Sequence, residues 1–215
     1  MDNNLKKKLF LIAETHQIKN DPSHDFNHII RVTNLATKIA KSVNADLEII
    51  IPSALFHDIV VYKKNSPKSK KESSESAIFA SNILNGFKKY PKSKIDKVKK
   101  CIEECSFSKG ANPSSLESKV LQDADRLEAT GAISIMRTFA SVGHMNTSLY
   151  AKEDPLCKNS LVKFRSGIDL FYNRLLIVEK TMHTKFARKI ASQRTEFLKI
   201  FLNQFKKELI EDEII

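Results

Sequence analysis

The most informative segment of the chain is Ile50-Ile51-Pro52-Ser53-Ala54-Leu55-Phe56-His57-Asp58-Ile59-Val60, an apolar run that ends in two adjacent polar side chains. Counted from Leu47, its apolar residues have the spacing of a helix face packed on a core. Asp58 falls next on the same stripe. A buried carboxylate needs a compensating partner, and the neighbouring His57 offers an imidazole nitrogen. The segment therefore predicts a helix that ends at a buried polar site.

The His57-Asp58 dipeptide alone leaves two interpretations open. In the first, His57 is a core histidine that hydrogen-bonds locally, and Asp58 is its helix-end or salt-bridge partner. In the second, both side chains belong to a metal site. One dipeptide does not separate these interpretations, so the decision rests on the remainder of the chain.

The composition predicts a single all-α domain over residues 1–215. A chain of 215 residues can bury a sizeable core as one domain, or at most as two small ones. It contains five Gly, six Pro and no Trp, and its apolar residues recur mostly at helical spacing. No shift in composition marks a boundary, and an architecture rich in β-strands is poorly supported.

Two further features predict a cytoplasmic protein. No apolar run is long enough for a signal-peptide core or a membrane span, so no membrane association is expected. The three cysteines, Cys101, Cys105 and Cys157, are an odd set without CxxC spacing, as expected of reduced thiols.

The net charge of +11 admits an anionic partner, but lysines far outnumber arginines and are spread along the whole chain. This distribution is typical of a solvated surface, and basic residues are not gathered with aromatic platforms, so nucleic-acid binding is not expected. One denser cluster follows the His57-Asp58 segment and could draw in anionic substrates. It comprises Lys63, Lys64, Lys68, Lys70 and Lys71.

Periodicity predicts helices along most of the chain, with approximate ranges 3–18, 26–43, 46–60, 73–87, 93–105, 114–127, 131–139, 160–180 and 184–211. The last two are long and amphipathic and are expected to be packing elements or an oligomer face. The segment 143–159 has no clear period, which is typical of a lid, a binding loop or a disordered segment.

Two further helices carry inward polar groups. His28 is in line with apolar residues of the second helix, so its imidazole points toward the core. His24, one turn earlier, forms a rival H-x-x-x-H metal-ligand spacing with His28. In the sixth helix, Asp123 and Asp125 flank the apolar face on opposite edges, and periodicity cannot choose between them.

The inward imidazoles and carboxylates form a mixed nitrogen and oxygen set that suits a divalent first-row metal such as Mn, Fe, Co or Zn. Such an ion with open coordination positions can activate water for hydrolysis of a phosphoryl group.

The order His28, His57-Asp58 and Asp125 resembles the H…HD…D signature of the HD superfamily of metal-dependent phosphohydrolases. The resemblance covers nearly the whole chain, and four segments are similar to a small bacterial branch that includes nucleotide pyrophosphohydrolases. These segments are 24–32, 106–110, 122–127 and 131–133.

The resemblance implies an all-helical HD-domain bundle, with an HD core at about 20–140 and two long C-terminal helices at about 159–212. It implies a divalent metal ion, with manganese favoured over Mg, Co, Fe or Zn. It also selects Asp125, in Ala124-Asp125-Arg126-Leu127, as the last metal ligand. Asp123 and Glu128 are then expected to contact the metal ligands rather than the metal itself. The implied metal ligands are His28, His57, Asp58 and Asp125.

The resemblance further implies that Asp58 is the catalytic proton acceptor and that Arg126 is a catalytic residue that contacts a substrate phosphate. Arg31, Lys109 and His24 are candidates for substrate binding. The expected partner is a small-molecule nucleotide, and a homodimer is conceivable.

Cys105 departs from the family pattern, because relatives usually have a histidine directly before Ser-Phe-Ser. This change puts the rate and selectivity of the reaction in doubt. The implied function is a (d)NTP pyrophosphohydrolase or a nucleotidase. The alternatives are a phosphodiesterase on a cyclic or dinucleotide, and a catalytically weakened sensor that binds nucleotide and metal.

Overall fold

The computed structural model describes residues 1–16, 25–62, 66–106, 110–158 and 165–214. Within these ranges the fold is all-α, as predicted, and the only extended pairing is an isolated parallel bridge between Ser148 and Ser166. The α helices are α1 (Asn3–His16), α2 (Phe26–Val43), α3 (Leu47–Phe56), α4 (Glu72–Gly86), α5 (Ile95–Glu103), α6 (Leu116–Leu127), α7 (Gly131–His144), α8 (Gly167–Leu170) and α9 (Lys185–Glu211).

The chain divides into two compact units, Met1–Arg126 and Leu127–Ile215. The first unit contains α1 to α5 and all but the last residue of α6, and the second contains α7 to α9. The single domain expected over residues 1–215 stays a prediction.

Helix α3 is the buried centre of the first unit. Every side chain from Ile49 to Phe56 is buried, and the helix packs against α1, α2, α4 and α5. A helix that is apolar on all sides has to be surrounded by other elements, which is why this short segment is covered by its neighbours. Its N-cap Asp46 accepts a hydrogen bond from the backbone N–H of Glu48 at 2.9 Å.

A tyrosine compensates for the proline inside α3. Pro52 has no N–H, so it cannot donate the usual helical hydrogen bond to the carbonyl of Glu48, four residues earlier. The hydroxyl of Tyr90 donates to that carbonyl at 2.8 Å instead. Tyr90 is only 2% exposed, and burial, aided by the charges of Glu48 and Asp46, raises its pKa, so its hydroxyl stays a donor. No sequence pattern indicates this pairing.

Helix α2 has the predicted bounds, but α3 ends at Phe56 rather than near 60. The backbone after His57 turns away because its N–H groups find partners on α4. The N–H of Val60 donates to the hydroxyl of Ser76 at 3.1 Å, and the N–H of Tyr62 donates to the carboxylate of Glu72 at 2.9 Å. As a result Asp58 lies in a turn rather than on the helical stripe.

In the second unit, the long helix expected at 160–180 is wrong for the described residues. Residue 166 is still extended, because Gly167 N–H donates to the carbonyl of Ser148 at 2.9 Å and Ser166 then caps α8 with Asp169. Beyond α8 the chain forms short turns, a π turn at Phe171–Leu175 and a 3-10 turn at Val178–Thr181. The second long helix, α9, is present with Thr184 as its N-cap.

The core of the second unit is aromatic. Phe171 lies against Phe139 and Phe201, with ring centroids 6.0 and 5.4 Å away. Leu198 and Leu202 of α9 complete the same buried cluster. None of the helices that the structure describes is both long and apolar enough to cross a membrane.

Tyr90→Phe should lower the free energy of unfolding by about 1–2 kcal/mol, because the Glu48 carbonyl loses its donor. The loss should be smaller in a Pro52→Ala background, where the new N–H at residue 52 can donate to the same carbonyl. Urea unfolding of the four proteins of this cycle measures the coupling. Equal costs of Tyr90→Phe in the two backgrounds would contradict the pairing.

Candidate metal centre

The first turn of α2 holds His28 by an N-cap. The side chain of Asp25 accepts a hydrogen bond from the backbone N–H of His28 at 2.9 Å, and Asn27 donates to the other carboxylate oxygen. The cap fixes where α2 begins, and the helical register then directs the His28 imidazole inward, where it is fully buried.

The ring of His57 is oriented by its own helix. Its Nδ1 lies 2.9 Å from the carbonyl of Ala54. A carbonyl only accepts hydrogen bonds, so Nδ1 carries the proton, and in the neutral ring Nε2 presents a lone pair. The rings of His28 and His57 have centroids 5.5 Å apart, so the two imidazoles line one small site.

Two carboxylates face both imidazoles. The Oδ2 atom of Asp58 lies 3.7 Å from Nε2 of His28 and 3.6 Å from Nε2 of His57. The Oδ1 atom of Asp125 lies 3.7 and 3.8 Å from the same two nitrogens. These separations exceed hydrogen-bond lengths but suit atoms that share one small cation.

The cluster favours a cation. Nε2 of His57 is buried without a hydrogen-bond partner and faces two carboxylates, an arrangement of acceptors against acceptors. Burial lowers the pKa of His57, but the charges of Asp58 and Asp125 outweigh burial and raise that pKa to about 9. A proton therefore fills the role of the cation when no metal is bound.

The donor set fits a metal ion. His28, His57 and Asp125 offer ligand atoms that all lie within 4.8 Å of one another. The imidazoles are buried, whereas the side chains of Asp58 and Asp125 are 34% and 33% exposed, so solvent reaches the cluster on its carboxylate side. Two nitrogens and two carboxylates suit a divalent first-row metal, and the solvent-facing side leaves room for water or substrate.

The structure separates the two carboxylates that periodicity could not. Asp125 faces the histidines, and the charges of His57 and His28 overcome the effect of burial and lower its pKa. Asp123 is fully buried, and its charge acts on Arg126. The assignment of Asp125 as a ligand and of Asp123 as a supporting residue stays a proposal, now with a geometry that favours it.

Arg126 is largely buried beside the cluster, with 7% of its surface exposed. Burial lowers its pKa, against the opposing effect of the Asp123 and Asp125 carboxylates. Its Nη2 donates to Oε1 of Gln122 at 2.7 Å. Sequence reasoning missed Gln122, although its position four residues before Arg126 on one helix was a signal that the two side chains meet.

Cys105 lies in the electrostatic field of the site. Burial, together with the charges of Asp125 and Asp58, raises the pKa of its thiol well above the ordinary value. In the metal-free protein Cys105 is therefore a neutral thiol at physiological pH and adds no charge to the site.

The remaining candidates lie on several elements. Arg31 is half-buried on α2, one turn after His28. Glu128 belongs to the second unit, where its carboxylate lies 3.7 Å from Nη1 of Arg137. His24 and Lys109 lie outside the described residues, as do Lys63 and Lys64 of the lysine cluster. The other members of that cluster, Lys68, Lys70 and Lys71, are exposed on the 3-10 turn Pro67–Lys71.

Comparison with known proteins gives consistent matches. Residues 25–130 match the HD domain family. YpgQ of Bacillus subtilis (strain 168) is 32% identical over 190 residues, which cover 86% of this chain and 84% of YpgQ. The crystal structure of YpgQ in complex with ADP has a TM-score of 0.72 at 29% identity, with 95% of each chain covered. An HD-superfamily hydrolase from Bacillus thuringiensis has a TM-score of 0.72 at 26% identity, covering 95% of this chain and 96% of the hydrolase.

Metal binding should release about one proton near pH 7, because the ion must displace the proton that His57 holds below its pKa of about 9. The apparent affinity for Mn²⁺ should therefore rise about tenfold per pH unit toward pH 9 and then level off. Calorimetric titration in buffers with different ionisation enthalpies counts the protons. An affinity that does not change with pH, without proton release, would contradict this description.

Two matched variants test which of the carboxylates Asp123 and Asp125 binds the metal ion. Asp125→Asn should abolish or strongly weaken Mn²⁺ binding, because it removes a charged oxygen that faces both imidazoles. Asp123→Asn makes the same chemical change two residues away and should leave the Mn²⁺ affinity nearly unchanged. The reverse result would identify Asp123 as the ligand.

Proposed function

Because this chain belongs to the HD superfamily of hydrolases, we propose that it is a metal-dependent phosphohydrolase that acts on nucleotides. The observation that carries the proposal is the buried Nε2 of His57, which faces the carboxylates of Asp58 and Asp125 in an arrangement that favours a cation. The complex of the relative YpgQ with ADP supports a nucleotide as the small-molecule ligand.

The residues that would hold the ion are His28, His57, Asp58 and Asp125. Manganese is the first candidate, and Mg, Co, Fe and Zn are the others, because the mixed donor set admits each of them. When bound there, a divalent ion would supply Lewis acidity toward water and a phosphoryl oxygen. The fold contributes the shape of the site, because the Ala54 carbonyl fixes the tautomer of His57.

Asp58 is the proposed proton acceptor for the attacking water. It is one-third exposed, so water can reach its carboxylate, and it lies in a turn beside both imidazoles. Asp125 faces the same two nitrogens and is about as exposed as Asp58, so the choice of Asp58 as the base rests on the family resemblance.

Positive side chains would hold the phosphates. Arg126 is the proposed catalytic contact, because it is fixed beside Asp125 by its hydrogen bond to Gln122. Arg31, half-buried on α2, is a second candidate, and Lys109 and His24 stay predictions. The homodimer and the cytoplasmic location suggested by the sequence also stay predictions.

Cys105 stands where the family that this chain resembles usually has a histidine. A thiol is a poorer proton donor to a leaving group than an imidazolium. Pyrophosphate departs from a (d)NTP more easily without a strong acid than a nucleoside alkoxide departs from a (d)NMP, so pyrophosphate release is the first reaction to test.

The test is release of phosphate and pyrophosphate from a panel of (d)NTPs and (d)NMPs with Mn²⁺, Co²⁺ or Mg²⁺. The native chain should release pyrophosphate in a metal-dependent reaction. Asp58→Asn keeps the size of the side chain but removes its basicity, and should lower kcat by about 100-fold or more.

Metal binding must be measured on the same samples. A variant that still binds Mn²⁺ but does not turn over has lost the proton acceptor, whereas a variant that no longer binds Mn²⁺ has lost a ligand. If the native chain binds Mn²⁺ and nucleotide but hydrolyses none of the panel, the pyrophosphohydrolase and nucleotidase proposals fail. The sensor and the phosphodiesterase on a cyclic or dinucleotide are then the remaining alternatives.

A further inference from the structure

Gln122 is a fully buried side chain whose hydrogen bonds fix its orientation. Its Nε2 donates to the carbonyls of Glu104 at 2.6 Å and of Ala111 at 2.9 Å. Its Oε1 accepts from Nη2 of Arg126 at 2.7 Å. Carbonyls only accept and a guanidinium only donates, so the amide has one satisfactory orientation. No other uncharged side chain of this size can serve these partners simultaneously.

Two of these partners of Gln122 are chain neighbours of residues at or near the candidate metal centre. Arg126 follows Asp125 directly in the chain, and the carbonyl of Glu104 belongs to the residue before Cys105. The thiol of Cys105 experiences the charges of Asp125, Asp58 and Arg126. Gln122 thus links the guanidinium to the backbone that carries Cys105.

The hydrogen bond between Arg126 and Gln122 also restrains a guanidinium that is attracted by neighbouring carboxylates. The carboxylates of Asp123 and Asp125 both attract Arg126. Because Arg126 is 7% exposed, only a small part of the side chain is accessible to a ligand, and a small rotation would change what it presents. The neutral oxygen of Gln122 holds Nη2 without adding another negative charge.

We propose that Gln122 is a positioning residue that orients Arg126 for contact with a substrate phosphate. The proposal rests on the function proposed above. If Gln122 were purely structural, it would only join the backbone at Glu104 to the backbone at Ala111, and its substitution would change stability alone. A positioning glutamine affects substrate binding, and does so through Arg126.

The test is a double-mutant cycle on the Mn²⁺-loaded protein. Gln122→Met, which keeps the length of the side chain and removes its hydrogen bonds, should raise KM for the best nucleotide about tenfold with kcat changed less than about twofold. In an Arg126→Ala background the same change should have almost no effect on KM. Equal effects in the two backgrounds would overturn the proposal.

One further variant separates positioning from stability. Ser114→Ala removes a 2.7 Å hydrogen bond to the carboxylate of Glu104 without touching Arg126, and should lower stability alone. If KM rises in Gln122→Met and in Ser114→Ala in proportion to the stability that each variant loses, Gln122 is merely structural.

An NMR measurement that needs no substrate tests the positioning role of Gln122 separately from the proposed function. In NMR spectra of ¹⁵N-arginine-labelled protein, the guanidinium of Arg126, assigned with Arg126→Lys, should rotate slowly in the native chain and faster in Gln122→Met. If no nucleotide is hydrolysed, the function fails, and the NMR result alone decides whether Gln122 orients Arg126. Unchanged guanidinium dynamics in Gln122→Met would overturn the positioning role.

Discussion

The two ring nitrogens of His57 are in opposite environments, and this difference determines what the site can do. Nδ1 is bonded to the carbonyl of Ala54, which fixes the ring, while Nε2 is buried opposite Asp58 and Asp125. Two carboxylates that face a buried imidazole nitrogen favour a cation there, and a proton on His57 fills that role until a metal ion displaces it. The first compact unit therefore contains a site that favours a positive charge.

The surrounding structure maintains that arrangement. Helix α3 is buried on all sides and contains Pro52, whose missing hydrogen bond is replaced by Tyr90. The backbone beyond His57 is held by Ser76 and Glu72 of α4, which directs Asp58 into a turn with solvent access. Rigid packing on one side and an accessible carboxylate on the other are the conditions that a hydrolytic site needs.

The sequence predicted much of this fold because local signals were strong. Asp25 is an N-cap and α2 has an unbroken apolar stripe, so its bounds were predictable. The helix expected at 160–180 was wrong because the pairing of Ser148 with Ser166 is a long-range interaction that periodicity does not contain. Likewise, Asp123 and Asp125 look equivalent on a helical projection, and only tertiary distances show which faces His28. Gln122 was missed because its neighbours on the helix face are polar, a pattern that predicts a side chain facing solvent. These neighbours are Ser118, Lys119, Asp125 and Arg126.

We propose that His28, His57, Asp58 and Asp125 share one metal ion. Anomalous diffraction at the manganese absorption edge, from crystals of the Mn²⁺-loaded protein, would locate this ion. We expect a strong peak in bonding contact with both Nε2 atoms and both carboxylates. A peak elsewhere, or no peak while Nε2 of His57 still faces only Asp58 and Asp125, would contradict it.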